Sequence, residues 1–308
     1  MKGIEICRSY YEEFGKEMIE RDFPQYADKI AIGLVGHGSE CLGFDDEISQ
    51  DHDFSPGFCI WISDELDREI GFKLFRAYSK LPKEYMGIKL KEKNSLGEDY
   101  KGVITVPNFY KRYTGRNGAP ESLEDWLYTP SYYLAEATNG EVFCDPEGSF
   151  TKIRNEILYS MPKDVKLKKI ASCAFYMAQS GQYNFSRCLD HGEGGSARLA
   201  LSDFVRSGVE MAFLLNDKHM PYYKWAFRAM RDLPLLGDQA DILERILDTP
   251  NSNRDKISEL VEKYCESVTK VLKGTGISTS ESDYLESHAY SVNECIKNHK
   301  LRNMSIML

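Results

Sequence analysis

The stretch KIAIGLVGHGSECLGFDDEISQDHDFSPGFCIWIS, residues 29–63, decides how this chain is read. An apolar run, KIAIGLVG at 29–36, has the length and β-branched content of a buried strand. A second such run, DFSPGFCIWIS at 53–63, follows, with Pro56 and Gly57 marking a bend or bulge within it. Between them lie a Gly38-Ser39 turn and six acids, Glu40, Asp45, Asp46, Glu47, Asp51 and Asp53, with no lysine or arginine among them. On a strand, residues two apart share a face, so Asp51 and Asp53 are expected to present their carboxylates side by side. Two such groups repel unless a cation lies between them, and paired carboxylate oxygens are hard ligands suited to magnesium. Gly38 lets the backbone approach a phosphate closely, and the Ser39 hydroxyl can donate to it. Strand, turn and acidic pair together point to metal-assisted phosphoryl transfer.

Working outward, residues 4–21 have the pattern of an amphipathic helix that stops before Pro24. Ser63 and Asp64 can cap a helix running to about Lys80, GVITVP at 102–107 and GEVFCD at 140–145 read as two further strands, and Ser122-x-x-Asp125 is a capping pattern for a short helix. Beyond residue 150 the segments near 150–160, 164–190, 196–217, 221–232, 236–248, 253–273 and 281–298 all read as helix. The stretch SARLALSDFVRSGVEMAFLLND (196–217) is apolar around most of its circumference, as the central helix of a bundle should be. The expected fold is α+β: a mixed-sheet α/β domain over 1–150, then an all-α helical bundle over 151–308.

Composition narrows the function classes. The first 150 residues carry 17 Lys+Arg against 28 Asp+Glu, a net of −11, and the remainder a net of +2. An acidic surface disfavours a polyphosphate backbone, so long nucleic acid is not an expected partner, whereas a metal ion or a cationic small molecule is. The eight cysteines are scattered, without a C-x-x-C pair, and read as reduced thiols, most of them in the core. The N-terminal segment has no apolar signal region and no run reaches the length of a membrane span, so a cytoplasmic location without membrane attachment is expected.

Gly38-Ser39 followed by Asp51-x-Asp53 resembles the GS…DxD signature of nucleotidyltransferases of the DNA polymerase beta superfamily. The longer string GSECLGFDDEISQDHDFSPGF is similar to a bacterial group of uncharacterised nucleotidyltransferase-like proteins. The likeness extends through LEDWL, ATNGEVFCDPEGSFTKIR and GQYNFSRCLDHGE. It continues in AFLLNDKHMPYYKWAFRAM, which is similar to helical domains behind minimal and kanamycin-type nucleotidyltransferases. The resemblance implies a magnesium-dependent transfer, with two ions, of a nucleoside monophosphate from a nucleoside triphosphate to a hydroxyl-type acceptor, in a cleft between the two domains, with release of pyrophosphate. Asp51 and Asp53 would hold the metal, and Gly38 and Ser39 the β- and γ-phosphates. Glu40, abutting the turn, would orient Ser39 or a substrate amine. The family scheme has a third carboxylate on a later strand; GVITVP carries none, and Glu98, Asp99, Glu121 and Asp145 are the alternatives. Lys224 and Arg228, four apart on one helical face, and Arg187 in GQYNFSR can supply positive charge for the triphosphate. Tyr176, Tyr183, Phe185, Tyr222 and Tyr223 are expected in the bundle core. His37 can touch phosphate or be an exposed turn histidine, and His191 is expected at a helix end. Two other functions fit the same pattern: a nucleotide-binding sensor or regulatory protein with reduced turnover, and a modifier (AMPylator) of a protein partner.

Overall fold

The computed structural model describes residues 1–46, 55–89 and 101–308. The chain is α+β and divides into two compact units, Met1–Ser160 and Met161–Leu308. The expected boundary lay near Phe150. The helix that begins there, Ser149–Tyr159, belongs with the first unit because Phe150 is fully buried in it. Its ring stacks on Trp61 at 3.8 Å, and its carbonyl accepts from the Tyr110 hydroxyl at 3.0 Å. Burying a side chain of this size contributes about 2–3 kcal/mol, enough to fix where the helix belongs.

In the first unit a four-stranded mixed sheet has the order β5-β2-β1-β6, with β1 Ala31–Leu34, β2 Cys59–Ile62, β5 Gly102–Thr105 and β6 Glu141–Cys144. β1 runs antiparallel to β2 and to β6, and β2 runs parallel to β5. β1 and β2 are buried at every position, which is why both read as unbroken apolar runs. A separate two-stranded hairpin, β3 Glu84–Tyr85 with β4 Ile88–Lys89, has too few residues to leave an alternation in the sequence. The second strand was expected from Asp53. It begins at Cys59, because Pro56 and Gly57, the latter at φ +149°, hold the chain out of strand geometry.

The first helical segment runs through α1 (Gly3–Tyr10), a π turn (Tyr11–Gly15) and α2 (Lys16–Asp22). Its apolar face supplies Tyr10, Tyr11, Met18 and Ile19 to a core shared with Ile32, Phe58 and Ile60. The expected helix after Ser63 is also broken by a π turn, passing from α3 (Asp64–Leu66) to α4 (Phe72–Ser79), with the Ser63 hydroxyl accepting from Leu66 N at 3.1 Å. Two helices were not foreseen: α5 (Val106–Thr114), which starts directly from β5 under a Thr105 cap, and α7 (Ser131–Thr138). Between them α6 (Leu123–Tyr128) carries the expected Ser122–Asp125 capping box. The Arg116 guanidinium holds the Asp125 carboxyl well below the usual carboxylate range. The Ser149–Tyr159 helix is α8.

The second unit contains α9 (Lys163–Met177), α10 (Phe185–Asp190), α11 (Gly194–Leu215), α12 (Tyr223–Met230), α13 (Ala240–Asp248), α14 (Arg254–Gly274), α15 (Leu285–Glu294) and α16 (His299–Asn303). α11 is the central helix: α9, α10, α12 and α13 all pack on it. Two buried polar side chains tie the outer elements down. Lys168 donates to Asn293 Oδ1 at 3.0 Å and to the Met304 carbonyl at 2.8 Å, and burial pushes its ammonium down. His288 bonds through Nε2 to the Ser282 carbonyl at 2.7 Å. That carbonyl can only accept, so Nε2 donates to it, and Nδ1 lies 2.8 Å from the Ser278 hydroxyl. Among the described residues no helix is long and apolar enough to cross a membrane.

Candidate functional site

β1 ends at Leu34 and the chain turns at once through Gly36-His37-Gly38-Ser39 into a single 3-10 turn, Glu40–Leu42. Gly36 and Gly38 hold φ of +128° and +122°. At Gly38 this favours glycine strongly, and an added Cβ would also lie 2.5 Å from Glu40 Oε2. Ser39 is the residue before the 3-10 turn; its carbonyl accepts from Leu42 N at 3.1 Å and Phe44 N at 3.0 Å, while its side chain makes no capping bond. Gly38 and Ser39 are half-buried, so this stretch of turn is open to solvent on one side.

Glu40 turns inward. It is only 4% exposed, and its carboxylate faces the ammonium of Lys101 at 3.4 Å. Lys101 sits immediately before β5; its Nζ also donates to the Ser55 carbonyl at 2.5 Å and lies 3.9 Å from Cys7 Sγ. Burial pulls the Lys101 ammonium down, but the Cys7 sulfur and the Glu40 carboxylate pull it up, and the net displacement is upward. Burial likewise pushes the Cys7 and Cys41 thiols up. A buried ion pair thus underlies the turn, and neither charge is compensated without the other.

The opposite side of the turn is held by Asn139-Gly140, between α7 and β6. The Asn139 amide bonds both the N–H and the carbonyl of Gly36, and Gly140 N donates to the Cys41 carbonyl at 2.8 Å. His37 is half-exposed, with Nδ1 3.4 Å from Glu136 Oε1 on α7.

The remaining acids of the opening segment separate by position. Asp45 is buried and caps α1, its Oδ2 accepting from Gly3 N at 2.9 Å. Asp46 is exposed. Glu47, Asp51, His52 and Asp53 lie outside the described residues, as do Glu98 and Asp99. β5 bears Gly102, Val103, Ile104 and Thr105 and no carboxylate. Of the two described alternatives, Asp145 caps α8 through Thr151 N at 2.7 Å, and Glu121 lies at the start of the α6 capping box. Among the described residues no group of three or more His, Cys, Asp and Glu side chains converges to hold a metal ion.

In the second unit Lys224 and Arg228 are exposed on α12, and Arg187 is exposed on α10, its guanidinium 5.0 Å from the centre of the Tyr183 ring. Lys224 lies 5.0 Å from the Trp225 ring. One expectation changes here. Phe185 is core and Tyr176 is half-buried, but Tyr183 and Tyr223 are 45% and 74% exposed, and Tyr222 is also on the surface, its ring 4.3 Å from that of Tyr223. Tyr222 precedes α12 and Tyr223 opens it, so neither occupies the stripe that packs on α11. Gln182 is structural: it accepts from Leu285 N and donates to Glu262. His191 stands, as expected, at the end of α10.

Lys101, Asn139 and Glu136 had no motif to announce them. Only Asn139-Gly140 left a signal, as an N-G turn pair before a strand, and that signal specifies a turn without saying what the turn holds.

The profile of a family described as a domain of unknown function (DUF4037) matches residues 126–226. Among solved structures, the chain is similar to a nucleotidyltransferase-like protein from Exiguobacterium sibiricum 255-15, at 10% identity and a TM-score of 0.37, over 91% of this chain and 90% of that one. No curated protein matches.

Proposed function

We propose that the chain is a magnesium-dependent nucleotidyltransferase that moves a nucleoside monophosphate from a nucleoside triphosphate to a hydroxyl-type acceptor. The observation that carries this is the turn after β1: a positive-φ glycine followed by a serine whose side chain caps nothing, on a half-buried and doubly anchored loop, twelve residues ahead of Asp51-x-Asp53. Such a turn can present backbone N–H groups and a hydroxyl to the β- and γ-phosphates at little ordering cost. The donor set fits magnesium in kind, two carboxylates with phosphate oxygens completing the shell. When bound, the ions would polarise the α-phosphate and offset the charge of the leaving group. The acceptor hydroxyl releases its proton to solvent as its oxygen bonds to the α-phosphorus, the bond from that phosphorus to the bridging oxygen breaks, and pyrophosphate leaves. Lys224, Arg187 and Arg228 are proposed to neutralise the phosphates, and Glu40 to act through the turn it underlies.

The test is isothermal titration of ATP and GTP with Mg²⁺ into the wild type and into Asp51→Asn and Asp53→Asn. Metal-dependent binding to the wild type, lost in both variants, is expected; equal binding in all three overturns the assignment. A second function, a nucleotide-binding sensor with little turnover, is favoured by the absence of any carboxylate on β5. Pyrophosphate release measured over a panel of hydroxyl acceptors separates the two.

A further inference from the structure

We infer that Asn139 is the positioning residue of the Gly36–Cys41 turn. Its side-chain Oδ1 accepts from Gly36 N at 2.9 Å and its Nδ2 donates to the Gly36 carbonyl at 2.8 Å, so one side-chain amide satisfies both backbone polar groups of one residue. The next residue closes the other end, Gly140 N donating to the Cys41 carbonyl at 2.8 Å. A single dipeptide therefore holds both ends of the segment that contains Gly38 and Ser39.

The dipeptide is itself fixed. Asn139 N donates to the Ala135 carbonyl at 2.9 Å, which terminates α7. Arg154 on α8 donates to the carbonyls of both Asn139 and Gly140, each at 3.5 Å. Gly140, at φ +59°, lies so close to β1 that an added Cβ would be 1.9 Å from the Leu34 carbonyl oxygen. The chemistry selects asparagine. Aspartate offers two acceptors and faces the Gly36 carbonyl with negative charge, alanine offers neither group, and glutamine is one methylene longer than the span of these two bonds.

A turn that must aim backbone donors at an anion gains affinity by being ordered beforehand, because ordering then costs nothing at binding. This part of the inference rests on the nucleotide assignment; the clamp itself does not. The experiment measures amide hydrogen exchange of residues 36–42 together with MgATP titration in the wild type, Asn139→Ala and Asn139→Asp. Tyr110→Phe is the control, losing one buried hydrogen bond to the Phe150 carbonyl elsewhere in the same unit.

In the wild type the Gly36 amide is expected to exchange slowly. In both Asn139 variants the turn amides should exchange faster while those of β1 and β2 do not, and MgATP affinity should fall roughly tenfold or more. Tyr110→Phe should alter neither readout. Rapid exchange of Gly36 in the wild type overturns the clamp without any variant having to fold, and so does unchanged turn exchange in Asn139→Ala. Faster exchange with unchanged MgATP affinity overturns the positioning role. If the wild type binds no nucleotide and the turn still loosens, the nucleotide assignment fails and the clamp stands.

Discussion

The turn after β1 and the surface of α12 are built on opposite principles. Around Gly38-Ser39 the backbone is fixed by contacts from residues far away in sequence: Asn139 and Gly140 on one side, and the Lys101 ammonium beneath through Glu40. On α12 the two cations are exposed side chains on a short helix whose buried face, Ala226 and Met230, packs on α11. The backbone of the first region can be tuned only through its supports. The second can be changed one side chain at a time at almost no cost to the fold.

That contrast can be broken most forcefully at Gly140. Gly140→Ala puts a Cβ into the Leu34 carbonyl at a positive φ, and a loss on the order of 4 kcal/mol in unfolding free energy is expected. A denaturant midpoint equal to that of the wild type would show that the turn does not need this approach. Next is Lys101→Met, which leaves the buried Glu40 carboxylate without its partner and should cost about 3 kcal/mol. The double variant Lys101→Met/Glu40→Gln should recover most of that loss. Failure to recover in chemical denaturation would mean that Lys101 acts through Ser55 rather than through Glu40.

A smaller effect is expected from pH, and it falls on both units. Burial pushes the Cys59 thiol and the Tyr10 hydroxyl up to about 12, and raises the Cys173 and Cys265 thiols as well. These acids stay protonated in the folded chain at pH values where the unfolded chain has released the proton. The stability contributed by the thiols is therefore fully present below their ordinary value near 9, that contributed by Tyr10 below 10, and each falls as pH rises above that value. Thermal melts between pH 8 and 11 check the sign; a melting temperature rising over that range would contradict it. The smallest effect is expected on α12. Lys224→Ala and Arg228→Ala should each change stability by less than about 0.5 kcal/mol, while weakening MgATP binding a few-fold if they neutralise phosphate. Stability losses as large as those at Gly140 would place these cations in the fold rather than at the ligand.

How much was legible follows the same division. The four strands of the main sheet were visible because each is a short apolar run, bounded by turn residues or charge. The capping signals Ser63 and Ser122-x-x-Asp125 mark true helix starts because a hydroxyl acting on N–H groups two or three residues on is a local event. α5 was hidden because Val106-Pro107 continues an apolar strand pattern without a break. The aromatic residues 222 and 223 were misjudged because hydrophobicity alone does not say which side of a short helix faces its neighbour.

The sequence by itself determined the α+β architecture, the passage from a mixed sheet to an all-helical unit, and the glycine-serine turn with its acidic neighbourhood. Each depends on periodicity, local backbone freedom or charge count over a few residues. Only the tertiary structure decided what the individual acids do: Asp45 caps α1, Glu40 is buried against Lys101, and Asp145 caps α8. It also decided that Asn139, about a hundred residues away in sequence, clamps Gly36. The physical reason is that a side chain's role is set by the groups within hydrogen-bonding reach, and for these residues those groups come from elsewhere in the chain.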